Sequence, residues 1–217
     1  MKIIEQSWQF LSGQSGEILK IIEAAGRTCY KSEDRITDTS SQDFCRKIIK
    51  SGHHSVIEHH NVTVRIITDR GVTHEIVRHR LASYSQESTR YCNYRDAVTF
   101  ILPVWLTIPP GFYDRISQCP GMDYASNVWF HAMLVAESKY SILLDRGWSP
   151  QQARSVLPNS LKTEIVMTCN IREWRHFFTL RCSKAAHPQM RELAVDMLRG
   201  FKGVIPVLFD DIWEDAA

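Results

Sequence analysis

The amino-acid sequence predicts an α/β (α+β) fold, in which a mixed sheet is flanked by helices within a single domain of residues 1–217. Three observations support this fold class. Apolar residues recur at helical spacing in several segments, they alternate with polar residues in another, and the two kinds of segment follow one another in mixed order. The sequence contains neither a glycine-rich dinucleotide fingerprint nor a Gly-Lys-Ser/Thr phosphate loop, so any nucleotide must be held mainly by side chains.

The first third of the chain contains two predicted amphipathic helices and one strand. Each helix is indicated by apolar residues three or four positions apart, namely Ile18, Ile21, Ile22 and Ala25 in the first and Phe44, Ile48 and Ile49 in the second. Between residues 61 and 68 apolar and polar residues alternate, which predicts a half-buried strand. A short helix is then expected from about Thr73 into the basic residues that follow.

The rest of the chain is divided by turn and cap residues. Turns are predicted at Pro109-Pro110-Gly111 and at Pro120-Gly121. A long helix is expected from Asp123 to Arg146, ended by a left-handed Gly147. The later elements are a helix opened by the capping box Ser149-Pro150-Gln151-Gln152 and stopped at Leu157-Pro158, a strand over 161–168, a helix from the Asn170 cap to Arg181, and a last helix from about Pro188.

Composition excludes several classes of protein. Hydrophobic residues make up 44% of the chain and charged residues 23%, which is ordinary globular usage. No apolar run approaches the ~20 residues that span a bilayer, and the N-terminus has no secretory pattern, so we expect a cytoplasmic protein without membrane contact. The six cysteines stand singly, which predicts free thiols rather than a zinc or redox site. A net charge of +2 gives no reason to expect nucleic-acid binding.

The segment from Arg78 to Tyr91 is the most distinctive part of the sequence. It holds three arginines, one histidine and several hydroxyl groups within fourteen residues. Residues 70–95 contain five arginines against two glutamates, so positive charge is concentrated at one place. Because guanidinium groups match phosphate and carboxylate oxygens, this segment predicts a site for a small anionic, phosphorylated molecule. The alternative is a solvated basic helix end.

Two further polar clusters accompany it. Residues 52–60 hold four histidines and one glutamate, but their spacing does not match a zinc-binding helix face, so we expect no metal. A capped turn between helix and strand is as good an interpretation as a ligand role for His53 and Ser55. In residues 170–181, Arg172 and His176 share one helix face and are candidate anion donors, whereas Trp174 and Phe178 are expected in the core.

Together these segments resemble the flavin-dependent thymidylate synthases. The family signature is Arg-His-Arg, seven residues and Ser, and here Arg78-His79-Arg80 is followed by seven residues and Ser88. The resemblance spans residues 20–200 and includes four more motifs, Gly52-His53-x-Ser55-x-x-Glu58-His59, Ala153-Arg154-x-Val156-Leu157-Pro158, Asn170-x-Arg172 with Leu180-Arg181, and His187-x-Gln189.

The resemblance implies a homotetramer with sites shared between subunits, and FAD bound noncovalently. It implies a methyltransferase of de novo thymidylate biosynthesis that converts dUMP to dTMP, with 5,10-methylenetetrahydrofolate as carbon donor and NADPH as reductant. The residues implied for FAD are Ser55, Arg78, His79, Arg80, Asn170, Arg172, His176 and His187.

For dUMP the resemblance implies a second set, Glu75, Gln86, Glu87, Ser88, Thr89, Arg90, Arg154 and Arg181. Ser88 and Arg181 are the candidate catalytic residues. Arg181 is expected to offset negative charge on the pyrimidine carbonyls. Ser88 is expected to position the substrate, because the sequence suggests no histidine or lysine base to activate its hydroxyl.

The chain departs from the family pattern at three places. Gln86 stands in the usual glutamate position with Glu87 one step later, Glu75 stands where glutamine is common, and the chain has two additional residues between Arg181 and His187. These departures leave open a related flavin enzyme that hydroxymethylates or otherwise modifies a pyrimidine nucleotide. An RNA-binding protein that uses the arginine cluster is the alternative from another class, and it predicts no bound flavin and steep salt dependence.

Overall fold

A computed structural model describes residues 1–14, 16–114 and 122–213, which form two sheets. The first has three strands in the order β5-β1-β6, where β1 is Lys2–Ile4, β5 is Thr99–Ile101 and β6 is Gly111–Phe112. It is mixed, because β1 pairs parallel with β5 and antiparallel with β6. The second has the order β2-β3-β7-β4, with β2 at Ser7–Ser12, β3 at Asn61–Asp69, β4 at Ser83–Gln86 and β7 at Lys162–Asn170. The predicted mixed α+β class is confirmed, with two sheets instead of one.

Eight α-helices lie within the described residues, and most of the predicted ones are confirmed. Their bounds are Ile18–Thr28 (α1), Ser40–Lys50 (α2), Arg70–Ile76 (α3), Tyr124–Asp145 (α4), Pro150–Ala153 (α5), Ile171–Arg181 (α6), Pro188–Val204 (α7) and Pro206–Phe209 (α8). The helix predicted from Ser149 is α-helical only over α5 and continues as a 3-10 turn, Arg154–Val156, before Leu157. The predicted turn at Pro120-Gly121 lies outside the described residues.

Helix α3 corrects one prediction. It begins at Arg70 and ends at Ile76, instead of running from about Thr73 into the basic cluster. The reason is local, because the carboxylate of Asp69 accepts a hydrogen bond from the backbone N–H of Val72 at 2.7 Å and so starts the helix three residues earlier than expected. The Arg-His-Arg motif therefore lies in the irregular segment after α3.

Contacts group the chain into two compact units, each assembled from three separate segments. The first comprises Met1–Ser7, Ile66–Ile76 and Ser85–Ile165, and the second comprises Trp8–Arg65, Val77–Tyr84 and Val166–Ala217. The organisation as one domain stays a prediction. None of the helices in the described parts of the chain combines the length and the apolar character needed to cross a membrane.

The core of the first unit lies between the three-stranded sheet and α4. Ile3, Phe100, Phe130 and Tyr140 are all fully or almost fully buried there. The side chain of Asp123 caps α4 by accepting from the backbone N–H of Ser126 at 2.7 Å. Another face of α4 is apolar but exposed, with large side chains four or seven positions apart, namely Tyr124, Val128, Val135 and Ile142.

The core of the second unit is aromatic. Trp174 and Phe178 are fully buried, as predicted, and the indole N–H of Trp174 donates to the backbone carbonyl of Val62 at 3.1 Å. Phe201 packs against both rings, with centroid distances of 5.0 Å. Because these residues anchor α6 against α7 and β3, one helix of fixed position carries several of the predicted site residues.

Candidate active site

His79 is the buried centre of the Arg-His-Arg motif. Its side chain is almost inaccessible, at 4% exposure, whereas Arg78 and Arg80 on either side are exposed. The phenol of Tyr84 donates to the backbone carbonyl of His79 at 2.7 Å. The imidazole also packs against the ring of Phe177, 4.9 Å away between centroids. The motif therefore directs its arginines outward and its histidine inward.

Both ring nitrogens of His79 contact helix α6. Its Nδ1 lies 3.3 Å from Oε1 of Glu173, and its Nε2 lies 3.1 Å from Nε of Arg181. Glu173 is the third residue of α6 and Arg181 is the last. The imidazole therefore connects side chains that start near the two ends of the helix. We call these three residues the Glu173–His79–Arg181 row.

The row fixes the tautomer of His79. Arginine Nε carries a hydrogen and has no lone pair to offer, so it must donate to Nε2, which leaves the imidazole proton on Nδ1 facing the carboxylate. Burial, with smaller contributions from Arg181 and His176, lowers the pKa of His79 to about 4. The contact with Glu173 is therefore a hydrogen bond from a neutral imidazole rather than an ion pair. Burial also raises the pKa of Glu173.

A metal interpretation of this cluster conflicts with its hydrogen bonds. His79, Glu173 and His176 can bring ligand atoms within 4.8 Å of one another. A cation at the Nδ1 side of His79 needs that nitrogen deprotonated, which puts the proton on Nε2, where Arg181 already donates. The guanidinium charge also opposes a second cation.

All eight residues implied for FAD belong to the second unit, but they are not equally accessible. Six are exposed, namely Ser55, Arg78, Arg80, Arg172, His176 and His187. His79 is buried, and the Asn170 side chain serves α6 as its N-cap by accepting from the backbone N–H of Glu173 at 2.9 Å. Arg172 and His176 lie one turn apart on α6, as the sequence predicts.

The histidine-rich segment connects a helix to a strand. Gly52 follows the C-terminus of α2 and has a left-handed φ of +69°. A 3-10 turn over His54–His59 then leads into β3. Glu58 binds Nη1 of Arg172 at 2.6 Å, which ties this turn to the start of α6. The interpretation as a helix-to-strand connection is confirmed, and the ligand roles of His53 and Ser55 stay predictions.

The residues implied for dUMP lie in the first unit, apart from Arg181. Thr89 is 4% exposed, and its hydroxyl accepts from Nη1 of Arg154 at 2.9 Å. The guanidinium of Arg90 donates to Oε1 of Gln151 at 3.3 Å and lies over the ring of Tyr91, 5.1 Å from its centroid. The structure thus brings together the loop after β4 and the Arg154 turn, although these are more than sixty residues apart in sequence.

Ser88 begins a tight turn. Its carbonyl accepts from the backbone N–H groups of Tyr91 and Cys92 at 3.1 and 3.0 Å, and its hydroxyl accepts from the N–H of Arg90 at 3.4 Å. This hydroxyl contact orients the side chain without removing its proton. A serine nucleophile requires an adjacent base, so the geometry favours positioning for Ser88.

Gln86 and Glu87, where the sequence leaves the family pattern, have separate partners. The amide of Gln86 donates to the hydroxyls of Thr73 and Thr163, at 3.0 and 3.3 Å. Glu87 accepts from the phenol of Tyr94 at 2.7 Å and from the ammonium of Lys162 at 2.9 Å. Glu87 is therefore paired with a lysine that it shares with Glu164, and the side chain of Gln86 is held by two threonines.

Three residues at these sites were not predicted from sequence. Glu173 is expected only as part of the first turn after the Asn170 cap, so no sequence pattern indicates its contact with His79. Tyr84 and Lys162 carry no motif, and each is recognisable only by what it contacts. Glu75, from the nucleotide set, lies half-buried in α3.

A separate cleft of about 700 Å³ lies in the second unit, and it contains none of the predicted site residues. Its lining includes apolar side chains of α1, α2 and α8 with two basic residues, Arg46 and Lys50, and two acidic ones, Asp210 and Asp211. Because these charges balance, the cleft favours neither an anion nor a cation.

Comparison with known proteins identifies relatives along most of the chain. The family model described as thymidylate synthase complementing protein matches residues 12–207. The flavin-dependent thymidylate synthase of Geobacter sulfurreducens is 36% identical over 198 residues, covering 88% of this chain and 80% of that protein. The flavin-dependent thymidylate synthase of Mycobacterium tuberculosis H37Rv is also 36% identical, over 202 residues that cover 88% and 78% of the two chains.

Solved structures share the fold. A UMP/dUMP methylase, PolB from Streptomyces cacaoi bound with 5-Br dUMP, superposes with a TM-score of 0.75 at 24% identity, over 97% of this chain and 96% of that one. This likeness concerns the fold alone. The matched family model and the identity to named relatives carry the assignment, and the chain belongs to the flavin-dependent thymidylate synthase family.

Proposed function

We propose that this protein converts dUMP to dTMP in de novo thymidylate biosynthesis, with FAD as cofactor, 5,10-methylenetetrahydrofolate as carbon donor and NADPH as reductant. The observation that carries the proposal is the clustering of Thr89, Arg90 and Arg154 beside Ser88. Two guanidinium groups and a hydroxyl, contributed by the loop after β4 and by the Arg154 turn, match the phosphate of a nucleotide monophosphate. This clustering occurs in a chain whose family membership rests on separate evidence.

The residues of the second unit fit an anionic dinucleotide such as FAD. Arg78, Arg80 and Arg172 are exposed, and guanidinium groups suit a pyrophosphate. Arg172 uses Nη1 to bind Glu58 and carries further N–H donors for a ligand. Bound flavin would supply hydride transfer, while the protein supplies binding, orientation and electrostatics.

Each nucleotide residue has an assigned task in the proposed reaction. Arg90 and Arg154 bind the phosphate, and Ser88 and Thr89 fix the position of the nucleotide. Adding a one-carbon unit or a hydride to uracil places negative charge on its carbonyl oxygens. Arg181 offsets that charge, and a donor fixed in advance is most effective because it requires no reorganisation during the reaction.

We also propose a cytoplasmic homotetramer whose subunits share each site. The exposed apolar face of α4 supports an assembly, since Tyr124, Val128, Val135 and Ile142 recur on one side of a 22-residue helix. Exposed apolar side chains that recur on one side of a helix are typical of protein interfaces.

The test is a reconstituted reaction. Purified protein is expected to show a flavin absorption spectrum and, with dUMP, methylenetetrahydrofolate and NADPH, to form dTMP detected by mass spectrometry. Arg154→Lys, which keeps the charge but loses the planar fork, is expected to raise the KM for dUMP by about tenfold or more. A flavin-containing protein that releases a hydroxymethylated nucleotide instead of dTMP contradicts the proposed product.

A further inference from the structure

The side chain of His79 is already engaged by other residues of this chain. It is buried, and both of its ring nitrogens are engaged, one by Glu173 and one by Arg181. A third contact, from Tyr84 to its carbonyl, fixes the backbone at the same point. An imidazole that is hydrogen-bonded at both nitrogens and carried on a fixed backbone is a structural link between other residues.

The link joins two positions eight residues apart on the same helix. Eight residues of α-helix extend about 12 Å, and His79 lies between the two side chains with one ring nitrogen beside the carboxylate of Glu173 and the other beside the guanidinium of Arg181. The two hydrogen bonds run in one direction, since Nδ1–H donates to Glu173 and the lone pair of Nε2 then accepts from Nε–H of Arg181. Reversing the tautomer breaks both hydrogen bonds at once.

We propose that Glu173 and neutral His79 are positioning residues, which together hold the Arg181 guanidinium in one orientation for the reaction. The inference rests on the proposed function insofar as Arg181 meets the charge that develops on the pyrimidine. Ordering a long arginine side chain in advance removes part of the entropy cost that binding or reaction would otherwise bear.

The role predicts an effect on turnover rather than on substrate affinity. Interactions that strengthen in the transition state change kcat, whereas uniform binding changes KM. Glu173→Leu, of similar size but without an acceptor, is expected to lower kcat for dUMP about ten- to hundredfold with little change in KM. Glu173→Gln keeps an acceptor oxygen for Nδ1–H and is expected to lose much less.

Coupling distinguishes this role from general support of the fold. Arg181→Lys loses the Nε–H donor to His79, so adding Glu173→Leu to it is expected to lower kcat no further. Asp43→Asn, which breaks the exposed ion pair with Arg46, is the matched acid control and is expected to behave as wild type. If Glu173→Leu and Arg181→Lys multiply their effects, Glu173 acts independently of Arg181 and the proposal is wrong.

Neutron diffraction tests the row without any substitution and without turnover. Crystals of deuterium-exchanged wild-type protein at neutral pH are expected to show deuterium on Nδ1 of His79 and none on Nε2. Deuterium on Nε2 overturns the proposal even if every variant is inactive or fails to fold. If wild type forms no dTMP, the proposed function fails, while the neutron result still decides whether the row is organised as inferred.

Discussion

A buried histidine whose pKa is depressed makes the folded chain sensitive to acid. The unfolded chain protonates His79 near its ordinary pKa of 6.5, whereas the folded chain does so only near 4. Between these values the unfolded state binds a proton that the folded state does not, so stability falls as the pH is lowered. The gap corresponds to about 3 kcal/mol at most. The raised pKa of Glu173 acts in the opposite direction and offsets part of it.

We therefore expect the free energy of unfolding of wild type to fall more steeply than that of His79→Asn between about pH 7 and about pH 5. Urea denaturation at several pH values measures both slopes. The variant shows how much of the pH dependence comes from titratable groups other than His79. Parallel slopes would show that His79 is protonated alike in both states.

A second prediction concerns Gln86 and Glu75, two positions at which the chain departs from the family pattern. The hydroxyl of Thr73 donates to the carbonyl of Arg70 at 3.0 Å, so it serves Gln86 as an acceptor. Gln86→Glu places a carboxylate against that acceptor and is expected to cost about 1–3 kcal/mol of stability. Because the family has glutamine near the position of Glu75 and glutamate at that of Gln86, the chain has in effect exchanged the two.

Glu75→Gln combined with Gln86→Glu restores the family arrangement with one carboxylate. Thermal unfolding of the double variant is expected to show a smaller loss than the two single variants added together. Additive losses would mean that the two departures from the family pattern arose independently.

At the scale of elements, Asn170 at the start of α6 has two roles, because it caps the helix and is also a predicted flavin contact. Asn170→Ala removes the N-cap acceptor and is expected to destabilise the protein by about 1 kcal/mol. Asn170→Asp keeps an acceptor and adds a charge that the helix terminus favours but a pyrophosphate does not. Its expected signature is an unchanged melting temperature with less retained flavin. Equal flavin content in wild type and Asn170→Asp would limit Asn170 to its capping role.

The sequence predicts the helices better than the strands, for a physical reason. Helices α2, α4 and α7 each show their apolar periodicity within one continuous segment. Strand β1 has three residues, and its partner β5 begins at Thr99, so no local pattern records the pairing. The early start of α3 was missed because Asp69 ends a strand and caps a helix at once.

The candidate site shows the same division between local and distant information. Motif residues such as Arg78, Arg154 and Arg181 are recognisable from the sequence and its family resemblance. Their partners are not, because the contact between His79 and Glu173 joins residues 94 positions apart. Burial of His79, which decides its protonation, follows from tertiary packing alone.

For the whole molecule, assembly is the property that the exposed face of α4 makes testable. Val128→Asp with Val135→Asp places two charges where an apolar contact is proposed, and desolvating them is costly. We expect native mass spectrometry to show smaller assemblies while the isolated chain stays folded. Asn127→Asp, an exposed polar site on the same helix, is the control and should leave the assembly intact. A tetramer that survives both changes would exclude this face from the interface.

The division into two discontinuous units determines when each unit can fold during synthesis of the chain. The first unit needs residues up to Ile165, and the second needs segments from both Trp8–Arg65 and Val166–Ala217. At about 5–20 residues per second, a ribosome takes on the order of ten to forty seconds to deliver them. The first unit is complete only after Ile165 has been synthesised, and the second only near the end of the chain. The nascent chain must keep its N-terminal helices from aggregating until translation is almost complete.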